Sequence, residues 1–132
     1  ATHVAVTDRA SPYLQIRYDA ASDGPPGAPS QPCHSGAACD SAAMASFDIY
    51  ELHRELHASF PAARVTVCRD AVMWNEADGS LSWDCSGGPA DPPVIKMGWT
   101  YAGDTGGAGA APMVAIAVPA AGLPLTRSAS VA

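Results

Sequence analysis

The chain has 132 residues, 48% of them apolar, and a formal net charge of −6. Its length suits one domain with a single modest core, thinned by alanine, since only two Phe, three Trp and four Tyr supply bulk. Lys96 is the only lysine and the arginines are scattered at positions 9, 17, 54, 64, 69 and 127, so the clustered cations that nucleic acid or an anionic membrane surface would need are missing.

In chain order, Ala1 to Asp8 reads as the last turns of a helix, which Pro12 disfavours continuing. Tyr13 to Tyr18 reads as a short extended piece. Asp23 to Pro32 holds four prolines and two glycines and reads as irregular surface chain. Asp40 is the predicted N-cap of a helix over Ser41 to Ser59 that ends at Pro61. Its stripe is Ala45, Ile49, Leu52, Leu56 and Phe60, at helical spacing. The period then changes to two. Arg64 to Val72 and Leu81 to Cys85 are predicted as strands joined through Asn75 to Asp78, with Asp78-Gly79 as the turn signal. Val94 to Tyr101 is the third strand and Met113 to Val118 the fourth, ended by Pro119. Gly103 to Gly109 is a loop. A helix followed by a meander predicts an α+β fold, the helix packed on a four-stranded antiparallel sheet.

Cys33, Cys39, Cys68 and Cys85 form an even set in a small domain, which points to disulfides and an oxidising compartment. Three connectivities are open. Local pairing, Cys33 with Cys39 and Cys68 with Cys85, is the simplest, each bond contributing roughly 2–3 kcal/mol in the chain-entropy model. No run of about 20 apolar residues is present, and the chain reads as an exported domain processed from something longer.

Four patterns invite chemistry. His53 and His57 lie one helical turn apart, a metal-compatible spacing, but Glu55 fits neither the zincin pattern nor its inverse, and no third ligand can be named. Cys33-His34 with the remaining cysteines lacks zinc-site spacing. Asp104-Thr105-Gly106 matches the aspartic-protease tripeptide without a second half, and no P-loop lysine follows. Trp74, Trp83, Trp99 and Tyr101 would suit a sugar platform, though aromatic residues at strand spacing more often line a core or sheet surface. No catalytic, cofactor-binding or metal-ligating residue is assigned, and the chain reads as a non-enzyme without a cofactor. The rival class is a disulfide-stapled secreted module that binds a glycan or a metal.

One run carries a family likeness. Cys39-Asp40-Ser41-Ala42-Ala43-Met44-Ala45-Ser46-Phe47-Asp48-Ile49-Tyr50-Glu51-Leu52, then Val67-Cys68-Arg69-Asp70, then Gly98-Trp99-Thr100-Tyr101 resemble, in order, the cysteine-led helix, the V-C-R-D strand and the W-T-D strand of PilV-type minor pilins, the type IV pilus modification proteins. Asp40-Ser41 replaces the family's Thr-Pro, Leu52 its Trp and Tyr101 its Asp. The resemblance implies a single pilin-like periplasmic domain over 1–132, with the end of the pilin helix at 1–11, a connector loop at 12–39, a helix at 40–60, the sheet at 63–119 and a loose tail at 120–132. It implies a membrane helix upstream, processing by a prepilin peptidase and anchoring at the periplasmic face of the bacterial inner membrane before passage to the pilus or cell surface. The implied partners are other minor pilins and the major pilin, and the implied role is initiation of the filament, with tip capping as an extension. Minor pseudopilins of type II secretion systems share this architecture and are the alternative.

Overall fold

A computed structural model describes residues 11–30, 33, 39–60, 62–100 and 110–118. The expected helix end at 1–8, Tyr101, the loop 103–109, Pro119 and the tail 120–132 lie outside the described residues. The fold is α+β. Strands β1 (Arg17–Asp19), β2 (Arg64–Arg69), β5 (Pro93–Gly98) and β6 (Val114–Ala117) form one antiparallel sheet in the order β1-β2-β5-β6, and β3 (Trp74–Asn75) pairs with β4 (Ser80–Leu81) in a separate hairpin. A single helical turn, α1 (Ala20–Asp23), precedes the long helix α2 (Ser41–Ser59).

Helix α2 begins where the sequence places it. The Asp40 carboxylate accepts from the Ala43 amide at 2.8 Å, satisfying one of the donors a helix start leaves open. At the far end the Phe60 amide still bonds to the Leu56 carbonyl. Ala62 then adopts a positive φ of 50°, and the chain reverses into β2. The predicted stripe is only partly inside: Ala45 and Leu56 are buried, while Leu52 and Phe60 remain 37% and 36% exposed.

One face of the sheet carries the core. Leu14, Ile16, Tyr18, Ala20, Leu56, Ala63, Val65 and Val67 cluster, with Ile95 and Met97 packed alongside. The register puts Tyr18 beside Val65, and Val65 and Val67 beside Met97 and Ile95, so alternate residues of three strands share that face. Tyr13 ties the same layer to the helix, its hydroxyl donating to Asp48 Oδ2 at 2.8 Å. Burial, that hydrogen bond and the Asp48 charge push the Tyr13 phenol up to about 12.

The membership of the sheet differs from expectation. Leu81 to Cys85 does not join it; Leu81 pairs with Trp74 in the small hairpin, and the edge position beside β2 is held by Arg17–Asp19. The reason lies at Asp70. Strand β2 stops at Arg69, not Val72: the Asp70 amide still bonds to the Pro92 carbonyl opposite it, but Pro92 has no N–H to return the bond, and the Asp70 side chain turns to Lys96. Residues 70–92 therefore leave the sheet and return over its second face. The stretch expected as a connector at 12–39 also contains structure: Pro12–Gln15 is a 3-10 turn, not extended chain, because Pro12 opens it and Ser11 Oγ accepts from the Tyr13 amide at 3.3 Å.

Leu56 is 4% exposed. Replacing it with alanine is expected to cost about 2–5 kcal/mol, and Leu52→Ala less than about 1 kcal/mol. Urea unfolding of both variants checks this; equal losses would contradict the placement of the helix.

Candidate functional site

The second face of the sheet is organised by a cation. Lys96 stands on β5 between Thr66 on β2 and Ala115 on β6, and its side chain is fully buried. An ammonium has three hydrogens. Here Nζ donates to Asp70 Oδ2 at 2.5 Å, to the Ser82 carbonyl at 2.7 Å and to the Asp84 carbonyl at 2.5 Å. The carboxylate is completed in turn: Asp70 Oδ1 accepts from the Val72 and Ser86 amides, both at 3.2 Å. Burial alone would raise the Asp70 carboxyl, but the Lys96 hydrogen bond, the two amides and the Lys96 charge outweigh it and hold the group below the usual carboxylate range. A buried ion pair of this kind is tolerated only when all its hydrogen-bonding capacity is met.

Both strong connections of residues 70–92 to the sheet sit together. Cys68 and Cys85 are joined by a disulfide with a Cα separation of 6.3 Å, and Cys68 lies two residues before Asp70. The second disulfide joins Cys33 to Cys39 at a Cα separation of 5.9 Å, just ahead of the α2 cap. Cys68 pairs with Val94 in the sheet, and the disulfide reaches out from β2 to the excursion. Ser86 and Asp91 close the return: the Ala71 amide donates to Ser86 Oγ at 2.8 Å, Ser86 Oγ donates to Asp91 Oδ2 at 2.5 Å, and the Gly88 amide donates to the same oxygen at 2.9 Å. Trp83 packs against Gly98, where a Cβ would come within 3.2 Å of its ring. The Arg64 guanidinium covers the ring at 4.1 Å, and its Nε1 donates to the Ala110 carbonyl at 2.6 Å.

At the outer side of this excursion is a cleft of about 510 Å³ whose wall includes Val72, Trp74, Glu76 and Asp84. A second cleft, of about 620 Å³, lies on the core side between the prolines 25, 26 and 29 and the helix. There His53 stacks on Tyr18 with ring centroids 4.3 Å apart and planes 9° from parallel. Its Nε2 is buried without a hydrogen-bond partner, and burial pulls its pKa below the ordinary value, with Asp23 pulling weakly the other way. His57, one turn on, is exposed. No group of three or more metal-ligating side chains is assembled among the described residues, and none of their helices is long and apolar enough to cross a membrane. The four aromatic residues singled out from sequence have separate surroundings: Trp74 at the outer cleft, Trp83 under Arg64, Trp99 against Phe60 with centroids 5.3 Å apart, and Tyr101 outside the described residues. Asp104-Thr105-Gly106 lies outside them too.

The Lys96–Asp70 pair is what sequence reasoning missed. A lone lysine flanked by Ile95 and Met97 in a strand was the available signal, together with an aspartate two residues after a cysteine. Lys96 Nζ and both Asp70 carboxylate oxygens make their hydrogen bonds inside the fold. The pair's evident work is to anchor a surface. Compared with known proteins, the chain matches no family model, no curated protein and no solved structure.

Lys96→Met leaves Asp70 buried and unpaired, and is expected to cost about 3–5 kcal/mol. Combining it with Asp70→Asn is expected to cost less than the sum of the two single changes. Chemical unfolding of the four proteins of the cycle measures both, and a loss below about 1 kcal/mol for Lys96→Met would contradict the account. Because the folded-state pKa of Asp70 is depressed, its contribution is present above the unfolded value and is lost as pH falls through the folded one. Stability is therefore expected to drop at strongly acidic pH, and more gently in Asp70→Asn. His53 also has a depressed folded pKa, so the unfolded chain takes its proton first and stability declines as pH falls through the ordinary histidine value. An NMR titration of His53 is expected to give a midpoint below 6.5; one above it would contradict the buried stack.

Proposed function

We propose that the chain is the head of a PilV-type minor pilin, a filament subunit that works by docking in type IV pilus assembly and does not turn over a substrate. The observation that carries this reading is the order of parts along one α+β fold. A cysteine pair leads into a capped helix at Ser41–Ser59. Val67-Cys68-Arg69 follows as the end of a strand with Asp70 just past it, and a disulfide from Cys68 staples a surface excursion onto an antiparallel sheet. The order of cysteine pair, helix and Val67–Arg69 strand follows the order of parts in the family, and a cross-linked head suits a body that presents side surfaces to neighbours. In this reading the partners are other minor pilins and the major pilin. The intact protein sits at the periplasmic face of the inner membrane before it enters the pilus.

The test is genetic and biochemical. In the source bacterium, deleting the gene is expected to reduce surface pili and twitching severely, and the chain is expected in filaments sheared from wild-type cells. Unchanged piliation, together with absence of the chain from sheared filaments, would overturn the proposal. Loss of protein secretion with normal pili would move the chain to the type II pseudopilins.

A further inference from the structure

The excursion carries large apolar side chains that the fold leaves outside. Val72 is 65% exposed and Trp74 48% exposed. Two residues apart in extended chain, they line the same outer cleft. Their setting is tied down by hydrogen bonds and a cross-link. The Ser82 amide bonds to the Met73 carbonyl and the Gly79 amide to the Asn75 carbonyl. Asn75 Oδ1 accepts from the Ala77 and Asp78 amides, and Lys96 with the Cys68–Cys85 bond fastens the base. Exposed apolar surface on a preorganised frame is the form of a contact site, because little ordering entropy remains to be lost on binding.

The charge around it is one-sided. Residues 70–91 contain Asp70, Glu76, Asp78, Asp84 and Asp91 and no Lys or Arg. Asp70 is neutralised by Lys96, but Glu76 and Asp84 line the same cleft as Trp74. The arginines that reach the excursion already have acceptors: Arg17 donates to the Ile16 and Val67 carbonyls and lies 4.0 Å from Cys85 Sγ, and Arg69 donates to the Asp91 carbonyl. A cleft lined by an exposed indole and two carboxylates suits a guanidinium, which can stack on an aromatic ring and donate to acids. A second copy of this chain, at net charge −6, is repelled from the same face.

We infer that Val72, Trp74, Glu76 and Asp84 form a docking site for a basic segment of a different protein, an extended peptide alternating arginine with aliphatic residues. The inference goes beyond the filament reading and does not need it: it identifies which surface binds and what chemistry it binds, in any assembly.

The test is an NMR titration of the full chain with the blocked peptide Gly-Leu-Arg-Leu-Arg-Leu-Gly, set against the same peptide carrying Glu for Arg. Shift changes are expected at Val72 to Ala77 and Ser82 to Ser86 with the Arg peptide. Affinity is expected to fall about tenfold or more in Trp74→Ala and in Glu76→Gln/Asp84→Asn, and to weaken between about 50 and about 300 mM salt. All these side chains sit at the cleft wall, and each variant's own amide spectrum reports whether it is folded. Perturbations mapping elsewhere, equal binding of the Glu peptide, or a response unchanged in folded Trp74→Ala would overturn the inference. So would absence of binding at millimolar peptide, Trp74-dependent self-association in sedimentation, or Trp74-dependent binding of a neutral oligosaccharide in place of the peptide.

Discussion

A single buried ammonium sets the shape of half this molecule. Lys96 is the chain's only lysine, and it is placed where no water reaches it. Taking that charge out of water costs several kcal/mol, and the cost is offset only if all three N–H groups find acceptors. Two of the acceptors are backbone carbonyls, of Ser82 and Asp84, and the third is the Asp70 carboxylate. The requirement of the lysine is therefore a requirement on the path of residues 70–92. They must leave the sheet after Arg69, turn, and come back over Lys96 with two carbonyls aimed inward. The Cys68–Cys85 bond closes this path and lowers the entropy of the unfolded chain that would otherwise oppose it.

The two faces of the sheet are held by different physics as a result. The core face is apolar: Val65, Val67, Ile95 and Met97 meet Leu56, Leu14 and Ile16, and its stability scales with area removed from water. The other face has little apolar bulk. It relies on one ion pair, one disulfide, a Trp83 ring fitted against Gly98 and an Arg64 lid. Such a face leaves its outer surface free of packing duty, which is why Val72 and Trp74 can stand exposed there without loss to the fold.

The sequence was most readable where one physical rule acts alone. Asp40 as a cap, Ser41–Ser59 as a helix and the two strands around Val67 and Ile95 follow from capping chemistry and period. Gly79 in the turn has the positive φ of 63° that a hairpin loop of this kind needs. It was unreadable where distant residues decide. Leu81 to Cys85 alternates like a strand, yet the Ser82 and Asp84 carbonyls serve Lys96, which no local pattern announces. Arg17–Asp19 is too short to show a period of its own, and its pairing with β2 is visible only in the sheet. His53 illustrates the same limit: read beside His57 as a metal-compatible spacing, it is a ring stacked on Tyr18, a partner far away in the chain that no local pattern announces.

The measurement that bears most directly on this account is amine acylation of the native chain by a water-soluble ester, read by peptide mass. With one lysine, the result is unambiguous at Lys96. The account predicts that Lys96 stays unmodified in the folded, oxidised protein and becomes reactive once the disulfides are reduced or the chain is unfolded. Rapid acylation of Lys96 in the native oxidised protein would contradict it.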